Sequence, residues 1–218
     1  MGALEFQNWG QIDYQEALAR QEALVEKVAA AKSPGVLVFC THPPVVTLGR
    51  KTQPGDVFGW QGPVIEISRG GRATYHGPSQ LVVYPIYNMS YERPGRPTRD
   101  IAWYLRSLED AIVATLKDYG IDAVGRSLQK KPESENGEDE TGVWVGSQKI
   151  ASLGIGIRKW VSFHGAAINL DHDPQAFQGL RPCGFNTETM VSLEKLLGRP
   201  VDREEFSQRF RRHLEVLG

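Results

Sequence analysis

Between residues 14 and 31 the apolar side chains Ala17, Leu18, Leu24, Val25 and Val28 recur at helical spacing. Asp13 followed three residues later by Glu16 has the form of a capping box, so a first helix is predicted from about Tyr14 to Ala31. Ser33, Pro34 and Gly35 break it, and GVLVFC then reads as a short buried strand. The prolines of THPPVV supply no ladder donor, which argues against a central strand there. Thr47 to Lys51, with the Gly- and Pro-bearing stretch Thr52 to Pro63, reads as a mobile cover or a substrate-facing loop. Val64 to Ile67 and Leu81 to Tyr87 are predicted strands on either side of a glycine loop. After a turn at Pro94 to Pro97, Thr98 is placed to cap a long helix with Ile101, Leu105, Leu108, Ile112, Val113 and Leu116 along one side and Gly120 at its end.

Gln129 to Glu140 is polar, acidic and aperiodic, a solvated loop to which no function attaches. Thr141 to Val145 and Lys149 to Ile157 read as two strands about a Gly146–Ser147 turn. Ala151, Ser152, Gly154 and Gly156 are interspersed with larger apolar residues, leaving one face of the second strand nearly bare. Val161 to Leu170 is a further strand pair or bend, again with small residues at Gly165, Ala166 and Ala167. An acidic loop at Asp171 to Asp173 and a helical turn near Pro174 to Phe177 lead into the loop RPCG. Two closing helices, Leu193 to Leu197 and Arg203 to Leu217, carry caps at Ser192 and Asp202, with Glu205 completing a second capping box. Arg209, Arg211 and Arg212 then form a solvated helix face.

With 218 residues and 40% hydrophobic content, a single domain with one sizeable core is expected. A net charge of −1 gives no basis for bulk nucleic-acid binding, and one RGG copy in such a chain does not change that. No apolar run is long enough to span a bilayer, and the first residues show neither a basic leader nor an apolar signal core; the expectation is a cytoplasmic protein without membrane contact. In a reducing compartment Cys40 and Cys183 read as thiols. Cys40 ends an apolar run and reads as a small buried hydrophobe, whereas Cys183 sits between Pro182 and Gly184 in a polar loop. A zinc module built from Cys40, His42, His76, His164 or Cys183 lacks a second close ligand pair, so no metal is expected.

Arg69 to Ile86, RGGRATYHGPSQLVVYPI, concentrates glycine, cations and a histidine ahead of an apolar strand. Gly70 and Gly71 permit backbone conformations closed to other residues, and His76 sits at a tight corner made by Gly77 and Pro78. A cysteine reacts as its thiolate. A lysine ammonium about 4 Å away, at an effective dielectric near 20, favours that anion by on the order of 4 kcal/mol. Lys149, set among apolar residues in a predicted strand, is suited to that part.

Together with THPPVVTLGR, GVWV, KIASLGI, FHGAAINL and RPCGF, this stretch resembles the lipoyl(octanoyl) transferase family over nearly the whole chain. One departure is Ser79, where the family usually has glycine; a positive φ there would strain serine. The resemblance implies a mixed α/β fold (α+β type), mixed sheets flanked by helices, like the catalytic domains of biotin and lipoate protein ligases. It implies Cys183 as nucleophile with Lys149 as its partner, and no cofactor. It implies a substrate slot lined by Arg69, Gly70, Gly71, Arg72, Ala73, Thr74, Tyr75, His76, Ser152, Leu153, Gly154, Gly165, Ala166 and Ala167. The implied donor is octanoyl-acyl carrier protein, and the acceptors are lipoyl domains of 2-oxoacid dehydrogenase complexes and the glycine cleavage H protein.

Thioester exchange followed by amide formation needs no nucleotide, in keeping with the absence of a Walker pattern. The backbone around Cys183 and Gly184 is expected to offer oxyanion donors. His76 either orients a loop or touches the transition state, and His164 reads as a satisfied structural histidine beside the site. Arg72, Arg93, Arg96, Arg99 and Arg181 are candidates for carrier-protein contact by charge alone. An ATP-dependent ligase would keep the lysine and need no cysteine, so Cys183 is the discriminating residue.

Overall fold

The computed structural model describes residues 4–127 and 139–217. In chain order the elements are β1 (Glu5–Gln11), α1 (Tyr14–Ala31), β2 (Gly35–Thr41), β3 (Val45–Leu48), β4 (Val64–Glu66), β5 (Thr74–His76), β6 (Gln80–Tyr87), α2 (Ile101–Lys117), β7 (Val124–Gly125), β8 (Gly142–Val145), β9 (Gln148–Arg158), β10 (Val161–Asn169), α3 (Leu193–Leu197) and α4 (Arg203–His213). Seven strands form one sheet in the order β1-β2-β6-β10-β9-β8-β7, and β4-β3-β5 form a second. In the larger sheet β1 and β2 run parallel and the other neighbours antiparallel.

Alternation along the strands divides the core between two faces. Leu37, Phe39, Leu81 and Val83 point to the side covered by Leu108, Ile112 and Leu116 of α2 and Phe206 and Phe210 of α4. Val36, Val38, Cys40, Val82 and Tyr84 point to the side covered by Ala17, Val25 and Val28 of α1. This is the mixed α/β arrangement expected. Among the described residues no helix is long and apolar enough to cross a membrane.

The predicted helices form with local corrections. Asp13 caps α1 by accepting from Gln15 N at 2.8 Å, but Glu16 pairs with Arg20 at 2.6 Å. The cap of α2 is Asp100, not Thr98: its carboxylate accepts from Trp103 N at 2.8 Å, whereas threonine lies outside the turn. The last helix tightens to a 3₁₀ turn over Leu214–Leu217.

The strands hold more surprises. The prolines of THPPVV stop just short of β3, which is the middle strand of the small sheet. Residues 161–169 are one unbroken strand, not a bend, joined to β9 by Lys159 and Trp160 at φ 53° and 60°. Two consecutive positive φ values are what a tight hairpin requires. β1 was not anticipated; this edge strand, EFQNWGQ, is mostly exposed and carries little apolar signal.

Most of the predicted acidic loop, residues 129–138, lies outside the described residues. Asp139 and Glu140 are described, and Asp139 belongs to the site below.

The glycine loop is fastened on both sides. Arg50 N and Lys51 N donate to Arg69 O and Gly71 O at 3.2 and 3.0 Å, and Gly70 N donates to Ile155 O of β9 at 3.3 Å. These bonds lay the loop across the middle of the large sheet.

Candidate active site

Lys149, the second residue of β9, pairs with Trp144 of β8 beside a register shift that leaves Ile150 as the extra residue, and Lys149 is 0% exposed. Nζ donates to the main-chain carbonyl of Asp139 at 2.8 Å and lies 5.6 Å from the Trp144 ring and 5.8 Å from the Phe185 ring. Gly142 makes room for this path: at φ 142°, a Cβ there would stand 2.2 Å from Ala151 O and 2.8 Å from Lys149 Cε.

Cys183 sits on the 3₁₀ turn Pro182–Gly184 with φ 55° and ψ 21°, a left-handed conformation that L-residues other than Asn and Asp seldom adopt. The turn is held from three directions. Cys183 N donates to Ala73 O at 2.9 Å, Asp139 N donates to Cys183 O at 2.9 Å, and Arg181 N donates to Asp56 O at 2.8 Å. Asp56 is fully buried and takes a two-point ion pair from Arg72, with Nε to Oδ2 at 3.0 Å and Nη2 to Oδ1. That carboxylate holds the Arg72 guanidinium above its ordinary pKa. Arg72 therefore braces the loop that bears Cys183.

The expected oxyanion donors are otherwise engaged. Cys183 N goes to Ala73 O, and Gly184 N donates to Arg181 O at 3.0 Å because the 3₁₀ turn consumes it. Ser152 Oγ stands 4.0 Å from the Cys183 Sγ.

Arg69, Thr74, His76, Ser152, Leu153, Gly154, Gly165, Ala166 and Ala167 line one narrow cleft with Cys183. The other sequence-predicted slot residues stand off its wall. Gly71 takes φ 84° with the Asp139 carboxylate against its α-carbon, Gly70 carries the bond to β9, and Ala73 accepts from Cys183. Tyr75 turns toward Trp60 and Phe177. Gly154 is small because the Arg69 side chain crosses it, and Gly165 because Val83 O lies where a Cβ would go.

Arg69 is buried, giving Nη2 to Thr47 O and Oγ1 at 3.1 and 2.9 Å and Nη1 to Gly70 O at 2.9 Å. His76 Nδ1 meets Gln80 Oε1 at 3.2 Å, Gln80 Nε2 donates to Asn169 Oδ1 at 2.9 Å, and the His76 ring stacks on Tyr14 at 5.7 Å. Burial, then His42 and Arg69, push its pKa well below the usual value, so the ring is neutral. His164 is buried as expected but not satisfied: among the described residues neither ring nitrogen has a hydrogen-bond partner. Ser79 is not among the residues with positive φ, so serine there is unstrained.

Cys40 is buried, and burial pushes its thiol pKa up. His42 beside it bonds Ile12 O and Tyr84 Oη at 2.8 and 2.7 Å. Among the described residues no cluster of three His, Cys, Asp or Glu side chains could hold a metal ion. Of the arginines singled out by charge, Arg72 and Arg93 are buried; Arg93 lies over the Tyr87 ring at 4.2 Å. Arg99 and Arg181 are exposed, the latter two residues from the thiol.

Asp139, Asp56, Trp144, Phe185, Tyr14 and Tyr84 complete the site without having been foreseen. Asp139 closes an acidic stretch whose composition says only solvent, yet it is the residue bonded to both Lys149 and Cys183.

Residues 13–215 match the family model described as the lipoyl protein ligase A/B catalytic domain. The chain is 61% identical to an octanoyltransferase of Bdellovibrio bacteriovorus, over all of both chains. It is 38% identical to an octanoyltransferase of Syntrophotalea carbinolica, over 98% of this chain and 94% of that one. Among solved structures it resembles a bipartite lipoate protein ligase from Thermoplasma acidophilum, with TM-score 0.64 at 15% identity over 100% of this chain and 84% of that one. It also resembles a biotin protein ligase from Aquifex aeolicus with biotin and ATP, with TM-score 0.57 at 12% identity over 98% and 69%. At those identities the structural likeness speaks for the fold.

Proposed function

We propose, from the premise that this chain belongs to the lipoyl protein ligase A/B catalytic-domain family and stands with its octanoyltransferases, that it carries an octanoyl group on Cys183 between two protein carriers. The donor is the phosphopantetheine thioester of acyl carrier protein. Attack by the Cys183 thiolate forms a new carbon–sulfur bond and expels the phosphopantetheine thiol, which takes a proton from Lys149. A lysine amine of a lipoyl domain then attacks the enzyme thioester. The amide forms, the amine gives up its proton to Lys149, and the Cys183 thiolate leaves. Acceptors of this kind are the lipoyl domains of 2-oxoacid dehydrogenase complexes and the glycine cleavage H protein. The reading places the work in the cytoplasm and uses no cofactor. It also treats the chain as one catalytic unit, since the glycine loop, Lys149 and Cys183 come from separate stretches of it.

One observation carries the proposal: Asp139 is hydrogen-bonded to Lys149 through its carbonyl and to Cys183 through its N–H, next to a cleft walled by small residues. An adenylate-forming ligase needs no thiol there. Intact-protein mass spectrometry after mixing with octanoyl-acyl carrier protein is expected to find one octanoyl group on Cys183. Cys183→Ala should abolish both adduct and transfer; transfer surviving that change rejects the mechanism.

A further inference from the structure

The cleft has an end that the chemistry at the thiol does not use. Cys183 Sγ lies 4.0 Å from Ser152 Oγ, and Ser152 pairs with Ala167. Along the two strands follow the pairs Gly154–Gly165 and Ile155–His164. At about 3.3 Å per residue the wall runs roughly 10 Å from the thiol's end to His164.

His164 is 2% exposed, lies on the cleft wall and holds φ 58° in mid-strand. A left-handed residue there breaks the alternation of the pleat. Its N–H goes to Gln21 Oε1 of α1 at 2.7 Å, and Phe163 backs its ring at 4.6 Å between centroids. Among the described residues both ring nitrogens are without a hydrogen-bond partner, as is Nε of Arg69 on the same wall. Backbone strain and unmet polar atoms both oppose folding, and they persist together where a site requires them. Burial, and after it Arg69, hold the His164 pKa down to about 3, so the ring is neutral, with one nitrogen a donor and the other an acceptor.

We propose that His164 is the length gauge of the acyl site, a buried stop that accepts an eight-carbon chain and turns away longer ones. The assignment rests on Cys183 carrying the acyl group. Seven carbon–carbon bonds of about 1.5 Å, laid out as a zigzag, reach about 9 Å, which ends such a chain just short of the ring. Each further methylene would by burial alone gain about fourfold in binding. Reaching the ring means displacing a buried, close-packed side chain, an overpacking that loses about five- to a hundredfold. The loss outweighs the gain.

The test is the rate of Cys183 acylation, read by intact mass, with six-, eight-, ten- and twelve-carbon acyl-carrier thioesters. Wild type is compared with His164→Gly and His164→Asn, both of which tolerate left-handed backbone. The expected result is a ten- to eight-carbon rate ratio raised about tenfold or more by glycine and by less with asparagine, which keeps a polar tip on a shorter stem. If the glycine variant does not fold, the asparagine variant decides. An unchanged ratio, whether the eight-carbon rate is kept or lost, overturns the gauge and leaves His164 a structural support. Absence of any adduct on wild-type Cys183 overturns the reading beneath it, and the gauge with it.

Discussion

Lys149 Nζ is hydrogen-bonded to the main-chain carbonyl of Asp139 at 2.8 Å, so a fully buried amino group is anchored on a neutral acceptor. The Trp144 and Phe185 rings add their faces at 5.6 and 5.8 Å. Carbonyl and rings offset part of the desolvation of a cation and leave its charge uncompensated. We propose that the anion which completes it during the reaction is the sulfur of Cys183, whose own carbonyl is bonded to the same Asp139.

Lys149→Met keeps the bulk and removes the charge. Cys183 acylation is expected to fall about 100-fold or more, with the rate profile displaced to higher pH. Alkylation of the thiol by iodoacetamide across pH reads the same effect without a carrier protein. A profile superposable on wild type would show that the ammonium does not act on the sulfur.

Asp56 holds the Cys183 loop twice, by the Arg72 ion pair and by its carbonyl to Arg181 N. Asp56→Asn leaves the carbonyl in place and removes the charge opposite a buried guanidinium, a loss of about 3 kcal/mol in stability. Denaturant midpoints measure that. At permissive temperature the same variant should also show slower acylation at unchanged carrier-protein affinity, because the turn bearing Cys183 loosens. Equal stability and rate would sink the assignment.

What could be read in the sequence was what local chemistry dictates. Asp13, Asp202 and Ser192 announce helix starts because a side-chain acceptor ahead of an apolar period has few other uses. Cys183 and Lys149 stood out because a thiol in a polar loop and a lysine in an apolar strand each lack a bland reason to be there. Asp139 did not, since its contribution is a main-chain carbonyl and N–H, which any residue type would supply. His164 reads as an ordinary strand histidine; its positive φ comes from the fold around it. The same holds for the backbone bonds of Cys183 and Gly184, spent in a 3₁₀ turn that RPCG does not advertise.

Gly142→Ala is expected to be costly out of proportion to one methyl group. The new Cβ would press on Ala151 O, which β-ladder pairing cannot move, and on Lys149 Cε, which is buried. Overpacking of this kind costs about 1–3 kcal/mol. Thermal melts should register it, and residual activity at low temperature should fall further than stability alone explains. A melt within a degree of wild type would mean that β8 slides aside.

Three buried histidines make stability depend on pH. His42, His76 and His164 are each held below the ordinary value with burial as the largest cause, His164 to about 3. In the unfolded chain each titrates near 6.5. Below that pH the unfolded state takes up protons that the folded state declines, so stability is lost as pH falls from about 6.5, and it is level above. Each histidine contributes up to about 1.4 kcal/mol per pH unit in that window. Asp171, whose pKa burial raises, has the opposite sign but acts at lower pH, where carboxylates titrate, so the slope is cleanest between pH 5 and 6.5. Urea midpoints should drop steadily across that range in wild type. The drop should be about one third smaller in His164→Asn, because one of the three proton acceptors is gone; a midpoint flat from pH 7 to 5 would contradict neutral burial of all three.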